Sequence, residues 1–240
     1  MYCFHIISLR SPIRTNESRK GQNGMKRVFG TVEAVFDGLY LVSALTIGII
    51  LLLRASNHGV RALAGIMALV LAGGDAFHLI PRIKLILTGR EEQLRPILGR
   101  GKQITSITMT LFYVLLWHVG VSLFAPAAII FWSTLVYGLA AIRIFLCMLP
   151  QNRWKDRFPP VDWTIGRNIP FFLLGLVVGG LFFRFRALNP AAGRMWIPIF
   201  LSFAFYLPVV LWANKNPKIG MLMLPKTMCY LWMLVICLAL

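Results

Sequence analysis

Acidic side chains are scarce in this chain, with eight Asp and Glu against 25 Lys and Arg, and charge of either sign makes up only 14% of its 240 residues. A soluble domain carries about 25% charged residues, so a water-facing surface of ordinary composition is excluded. Cysteine is also sparse. Cys3, Cys147, Cys229 and Cys237 are scattered, with no CxxC or comparable ligand spacing. That argues against a disulfide framework and against a zinc site, and no metal or cofactor is expected. Long alternating polar and apolar runs are missing too, which removes a β-barrel.

What the chain does have is apolar length. Hydrophobic residues make up 58% of it, and mean hydropathy is +0.73. Runs of about 20 apolar residues recur, long enough to cross the hydrocarbon layer as helices. In lipid every backbone amide must be satisfied internally, which leaves helices once a barrel is removed. The expected fold is an all-α integral membrane protein, a compact bundle of seven transmembrane helices near 31–53, 62–83, 104–124, 126–149, 165–186, 195–213 and 219–240. Residues 1–30 read as an N-terminal tail and 31–240 as a single membrane domain.

No signal peptide is evident, because residues 1–24 lack a long apolar segment and a small-residue cleavage site. Met25-Lys26-Arg27 makes a natural start, and "RKG" at 19–21 could be encoded by a purine-rich ribosome-binding site. On that reading residues 1–24 are a mis-assigned start and the membrane is a bacterial cytoplasmic one. The alternative is a short disordered cytoplasmic tail.

The net charge of +17 does not point to nucleic acid, since the basic residues are not gathered on a soluble domain. They sit mainly between the spans. The side holding the N-terminus collects 18 Lys and Arg and the opposite side 5, or 14 against 5 without residues 1–24. The positive-inside bias then predicts a cytoplasmic N-terminus, and seven spans place Leu240 outside.

The segment "LAGGDAFHLIPR" at 71–82 puts Asp75 and His78 one helical turn apart in an oily span. At about 1.5 Å per residue, Asp37, Asp75, Arg143 and Lys226 each fall roughly 9–10 Å inside the cytoplasmic edge. Two acids and two bases from four helices are thus expected in one layer. A charge near mid-membrane costs at least ~2.5 kcal/mol and is usually found facing a partner or water. Arg143 or Lys226 is expected to neutralise Asp75, leaving the other base for Asp37, unless the long bases snorkel to the headgroups. Tyr40, Thr105, Thr108 and Asn168 are candidates to line the same vestibule. His118 lies far from this layer and reads as a packing histidine. Gly175 and Gly179 form a GxxxG face, expected to pack within the chain.

Parts of the chain invite comparison with three known architectures. "GGDAFH" followed by "FYVLLWHVG" resembles the lysoplasmalogenase-type membrane hydrolases, but Asp156 and Asp162 fall between spans, so their second intramembrane Asp has no counterpart. The alkaline ceramidase type carries zinc-binding histidines on its last span, and this chain has none there. Retinal proteins carry a lysine in the seventh helix, yet Lys226 is off-centre and the third span lacks a carboxylate. No family is adopted.

The residues support three functions. The first is a membrane-embedded enzyme acting on a lipid or lipid-linked substrate, with Asp75 as acid or base, His78 as its proton partner, and Asp37, Arg143 and Lys226 binding substrate. The second is a small proton- or cation-coupled transporter using Asp37, Asp75 and His78. The third is a structural or signalling membrane protein whose ionic layer only fixes helix pairing. Expected partners are the lipid bilayer and a lipid or small-solute ligand. Oligomeric state is left unassigned.

Overall fold

The computed structural model describes residues 16–55, 59–127, 129–156, 159–213 and 216–240, with the side chains of 16–29 and of Pro217 left out. Cys3, Arg10, Arg14, Arg157 and Lys215 lie outside the described residues, as do the side chains of Arg19, Lys20, Lys26 and Arg27.

Eight α-helices are described: α1 (Asn16–Leu53), α2 (Gly59–Thr88), α3 (Glu91–Phe124), α4 (Ile129–Met148), α5 (Val161–Arg184), the single turn α6 (Pro190–Gly193), α7 (Trp196–Trp212) and α8 (Met223–Cys237). No strand occurs among the described residues. α6 runs on into α7, and a 3₁₀ turn over Pro217–Leu222 runs on into α8. Seven helical segments are therefore long and apolar enough to cross a membrane. They coincide with the seven runs read from hydropathy.

The helix ends differ from that reading. α2 continues through Pro81 to Thr88, and α3 begins at Glu91 and carries Pro96 inside it. The expected basic loop between the second and third spans is thus reduced to Gly89 and Arg90. Gly89 adopts a positive φ of 67°, the left-handed conformation that glycine enters without a Cβ clash. Arg82, Lys84, Arg95, Arg100 and Lys102 stand on the helices themselves. α1 likewise starts well ahead of residue 31.

Elsewhere the ends follow local chemistry. Asn189 caps α6 by accepting from the amides of Ala191 and Ala192, both at 3.1 Å. Asn216 caps the 3₁₀ turn by accepting from Lys218 N at 3.1 Å. Both satisfy amides that a helix start leaves without partners. Asn152 closes α4 from beyond its C-terminus, donating to the carbonyls of Leu146 (2.6 Å) and Leu149 (2.8 Å).

Sequential helices pack side by side. α8 closes the arrangement against α1 and α2, and α3 reaches inward to touch α5 as well. The core is aromatic: Tyr113 makes edge contacts with Phe112 and Phe171, and Phe112 with Tyr230. Small residues permit the closest crossings. A Cβ on Gly74 would collide with the Thr108 side chain, and one on Gly101 with the Phe77 carbonyl and, at 2.9 Å, with His78 Cα. Thr105 locks the same crossing by donating to Gly74 O at 2.9 Å. Gly175 and Gly179 face Phe203 and Phe200 of α7, so the GxxxG face packs within the chain as expected.

Candidate functional site

Antiparallel succession gives the bundle two ends. The first holds the start of the α1 span, the α2–α3 turn, the α4–α5 connection and the start of α8. All five expected site residues lie toward this first end, but they form two groups rather than one ion-paired layer.

The acidic group belongs to α1 and α2. Asp37 and Tyr40 are buried one turn apart on α1. The Tyr40 hydroxyl donates to Asp75 Oδ2 at 2.7 Å. Asp37 Oδ2 is enclosed without a hydrogen-bond partner, and so is His78 Nδ1. Nearer the end, Arg82 pairs with Glu33 and ties α2 to α1. Helical spacing alone predicts that His78 shares the face of Asp75, and it does not make them partners: no hydrogen bond joins them. The partner of Asp75 comes from another helix.

The basic group belongs to α4, α5 and α8. Arg143, expected as a counter-ion, is only 2% exposed and is held entirely by neutral oxygens. Its Nε donates to Thr110 Oγ1 at 3.0 Å, and its Nη1 donates to Arg167 O at 2.8 Å and to Asn168 Oδ1 at 2.9 Å. The guanidinium lies 3.8 Å from the centre of the Phe171 ring, a favourable stacking for a delocalised cation. Snorkelling is therefore excluded for Arg143. The Tyr206 hydroxyl also donates to Asn168 Oδ1, at 3.2 Å.

Lys226 is buried too. Its Nζ sits 4.5 Å from the Tyr206 ring centre and 4.9 Å from that of Tyr230. It makes no ion pair with any described residue. Asp75 is within electrostatic range of Lys226 but beyond contact. Ion pairs among the described residues are confined to Glu33–Arg82 and the Arg95 pairs with Glu91 and Glu92. None joins the expected acids to the expected bases.

Four residues of this region escape a reading of runs and spacings. Arg167 reads as one more basic residue at the cytoplasmic edge of the fifth span. It is instead buried, stacked 4.1 Å from the Trp154 ring centre, and donates to Asn152 Oδ1 at 2.8 Å. Thr110, Tyr206 and Tyr230 pass as ordinary span residues. Their signal was the helical repeat: Lys226 with Tyr230 and Ser202 with Tyr206 stand at i,i+4, and Thr110 with Tyr113 at i,i+3. Of the expected vestibule residues, Tyr40 and Asn168 join the site, whereas Thr105 and Thr108 serve the α2–α3 crossing. His118 Nε2 meets the Tyr137 hydroxyl at 2.8 Å, the packing role expected of it.

Two surface clefts lie elsewhere. One of about 430 Å³ runs along α4 beside Phe131 and Ile142. Another of about 660 Å³ opens at the second end between the α3–α4 turn and α5, with Trp117 and Trp132 in its walls and Arg184 as its charged residue. Neither touches the acidic or the basic group. Among the described residues no three His, Cys, Asp or Glu side chains converge. No known protein family, curated protein or solved structure matches this chain.

Proposed function

We propose that this chain is a multi-pass membrane protein that carries a proton or small cation at Asp37 and Asp75, as the coupling site of a small transporter. The observation that carries this reading is Asp37. It is 4% exposed, one oxygen has no partner, and no base among the described residues lies within ion-pair distance. A buried carboxylate in that state is costly unless it is protonated or meets a cation. Asp75, bonded only by a tyrosine, is a second such group within electrostatic range. Groups that must exchange a proton to remain buried are suited to coupling.

Orientation follows from charge. Glu33, Asp37, Asp75, Glu91, Glu92, Asp156 and Asp162 all lie toward the first end, together with the excess of Lys and Arg. The second end has Arg54, Arg61, Arg184, Arg186 and Arg194 alone. The positive-inside bias supports a cytoplasmic first end and N-terminus, with the C-terminus outside. The bacterial cytoplasmic membrane is the setting suggested by the codons that would encode residues 19–21. The bilayer is then the partner of the exposed apolar faces of α1 and α4.

The structural reading, in which the layer only fixes helix pairing, needs acid–base contacts that the interior lacks. A lipid-acting enzyme is favoured by one arrangement, a Tyr40-bound Asp75 carboxylate with the Lys226 ammonium nearby, but it loses His78 as the proton partner.

The test is reconstitution in liposomes containing a trapped pH indicator, with a panel of small solutes added outside under an imposed proton or sodium gradient. Wild type is expected to move protons or sodium with a solute, and Asp75→Asn of matched thermal stability to fall to the level of empty liposomes. Equal flux in both proteins sinks the coupling role. Mass spectrometry of native lipid extract incubated with both proteins covers the enzyme reading, which requires a lipid consumed only by wild type.

A further inference from the structure

The basic group raises a separate question, because the cations outnumber their partners. Arg143, Arg167 and Lys226 are all buried, and none contacts a carboxylate of the described residues. An arginine keeps its charge in a protein, so Arg143 and Arg167 are permanent positive charges in the interior. Their hydrogen bonds run to neutral oxygens that fix their position without cancelling their charge.

Lys226 differs from them. At 8% exposure, its ammonium has three donors and no hydrogen-bond acceptor among the described residues. It has only the faces of Tyr206 and Tyr230 to lie against. A ring face attracts a cation, but it replaces the lost hydration of an ammonium incompletely. Beside it the Tyr230 hydroxyl, on a residue 2% exposed, makes no hydrogen bond of normal geometry, although the Tyr113 and Ser202 hydroxyls lie close by. Unlike acceptors, both of these groups can donate. The Asp75 carboxylate and the Arg143 guanidinium both lie within electrostatic range of Lys226, and Tyr206 bonds the same Asn168 oxygen that Arg143 does. An ammonium without an ion-pair partner, a phenol without a hydrogen bond of normal geometry and a fixed guanidinium together present donors that no carboxylate among the described residues contacts.

We propose that Lys226 and Tyr230, backed by Arg143, form a binding site for an oxyanion, the carboxylate or phosphate group of a ligand entering between α8 and α7. Charge-assisted bonds from Lys226 and Tyr230 satisfy the donors, and the ligand brings negative charge into contact with Lys226, which Asp75 does not. Resting on the carrier reading, this names the solute as a small organic or phosphorylated anion, taken together with the proton or cation at Asp37 and Asp75.

The experiment uses purified full-length protein in neutral detergent. Sodium acetate, sodium phosphate and, separately, phosphatidylglycerol are titrated against sodium chloride at equal ionic strength while the thermal unfolding midpoint is followed. Wild type is expected to gain a saturable rise with at least one of the three. Lys226→Met should lose the rise, and Tyr230→Phe should need about tenfold more anion, as loss of one charge-assisted bond implies. A response to acetate or phosphate assigns a soluble anion, and a response to phosphatidylglycerol alone assigns a lipid headgroup. No rise with any of the three overturns the proposal, as does a Lys226→Met response equal to wild type. Should Lys226→Met fail to fold, an unchanged Tyr230→Phe titration overturns it instead. The two readings fail separately. Anion binding without gradient-driven flux removes the carrier and leaves the site, whereas flux indifferent to Lys226 with no anion response removes the site and leaves a proton carrier.

Discussion

Arg143 and Lys226 entered the bundle on equal terms, as two bases each a few turns inside the first end, and the structure treats them oppositely. Arg143 is tied by three hydrogen bonds to α3 and α5 and by a stacked ring. Lys226 has ring faces and no bond. The same division runs through the acids, where Asp75 is held by Tyr40 and Asp37 keeps an unpartnered oxygen. A tied buried charge contributes to the fold and resists removal. A loose one costs the fold free energy, and it persists in an economical bundle for what it binds. Substitution separates the two kinds.

The largest loss of stability is expected at Arg143. Arg143→Met removes three buried hydrogen bonds and the ring stacking at once, although the Thr110 hydroxyl keeps its bond to Ser106 O and Asn168 keeps those to Tyr206 and Thr164. Hydrogen bonds to a charged group are worth about 1.5–3 kcal/mol each, so a net loss of roughly 3 kcal/mol is expected after relief of the buried charge. Unfolding in mixed detergent titrations measures it. A change below about 1 kcal/mol would mean that the three bonds do not hold α3, α4 and α5 together.

Next comes the crossing that positions Asp75. Gly101→Val drives a branched side chain into the Phe77 carbonyl and the backbone of His78. Backbone cannot yield as a side-chain tip does, so an overpacking cost of about 1–3 kcal/mol is expected. The displacement also moves α2, and Asp75 with it, relative to Tyr40. Gradient-driven flux should therefore fall by more than the fraction of protein that unfolds. Flux that tracks folded protein alone would show that the Tyr40–Asp75 bond tolerates the shift.

Hydropathy made the seven helices legible, because a run of apolar residues admits only one backbone solution in lipid. Helix ends were less legible. The basic residues between the second and third spans looked like a loop, yet α2 runs on to Thr88 and α3 begins at Glu91 with Pro96 inside it. In the candidate site, depth counting found which charges lie toward the first end. It could not find their partners, since depth along an axis says nothing about rotation around it. Arg143 meets Thr110 and Asn168 because of how α3, α4 and α5 are turned, and Asp75 meets Tyr40 rather than His78 for the same reason. Neutral residues were the hardest to see. Tyr206 and Tyr230 carry a large apolar ring, and in a run of Leu, Val and Phe they read as bulk.

The smallest effect is the most telling, because it is expected to have the opposite sign. Asp37→Asn removes a carboxylate with an unpartnered buried oxygen and keeps its shape. Since no base loses a contact, the usual penalty for breaking a buried pair does not apply, and the desolvation cost of the charge is relieved. Lys226→Met does the same for the ammonium, replacing it with an apolar chain that packs against the same two tyrosine rings. With no anion present, each variant is expected to be as stable as wild type or more stable, by up to about 1 kcal/mol, while coupled flux is lost. Midpoints of thermal unfolding measured in chloride alone are the check. A loss of more than about 1 kcal/mol for either would place that residue with Arg143 among the groups that hold the bundle together, and the vacant donors and the orphaned oxygen would then need a structural account in place of a ligand.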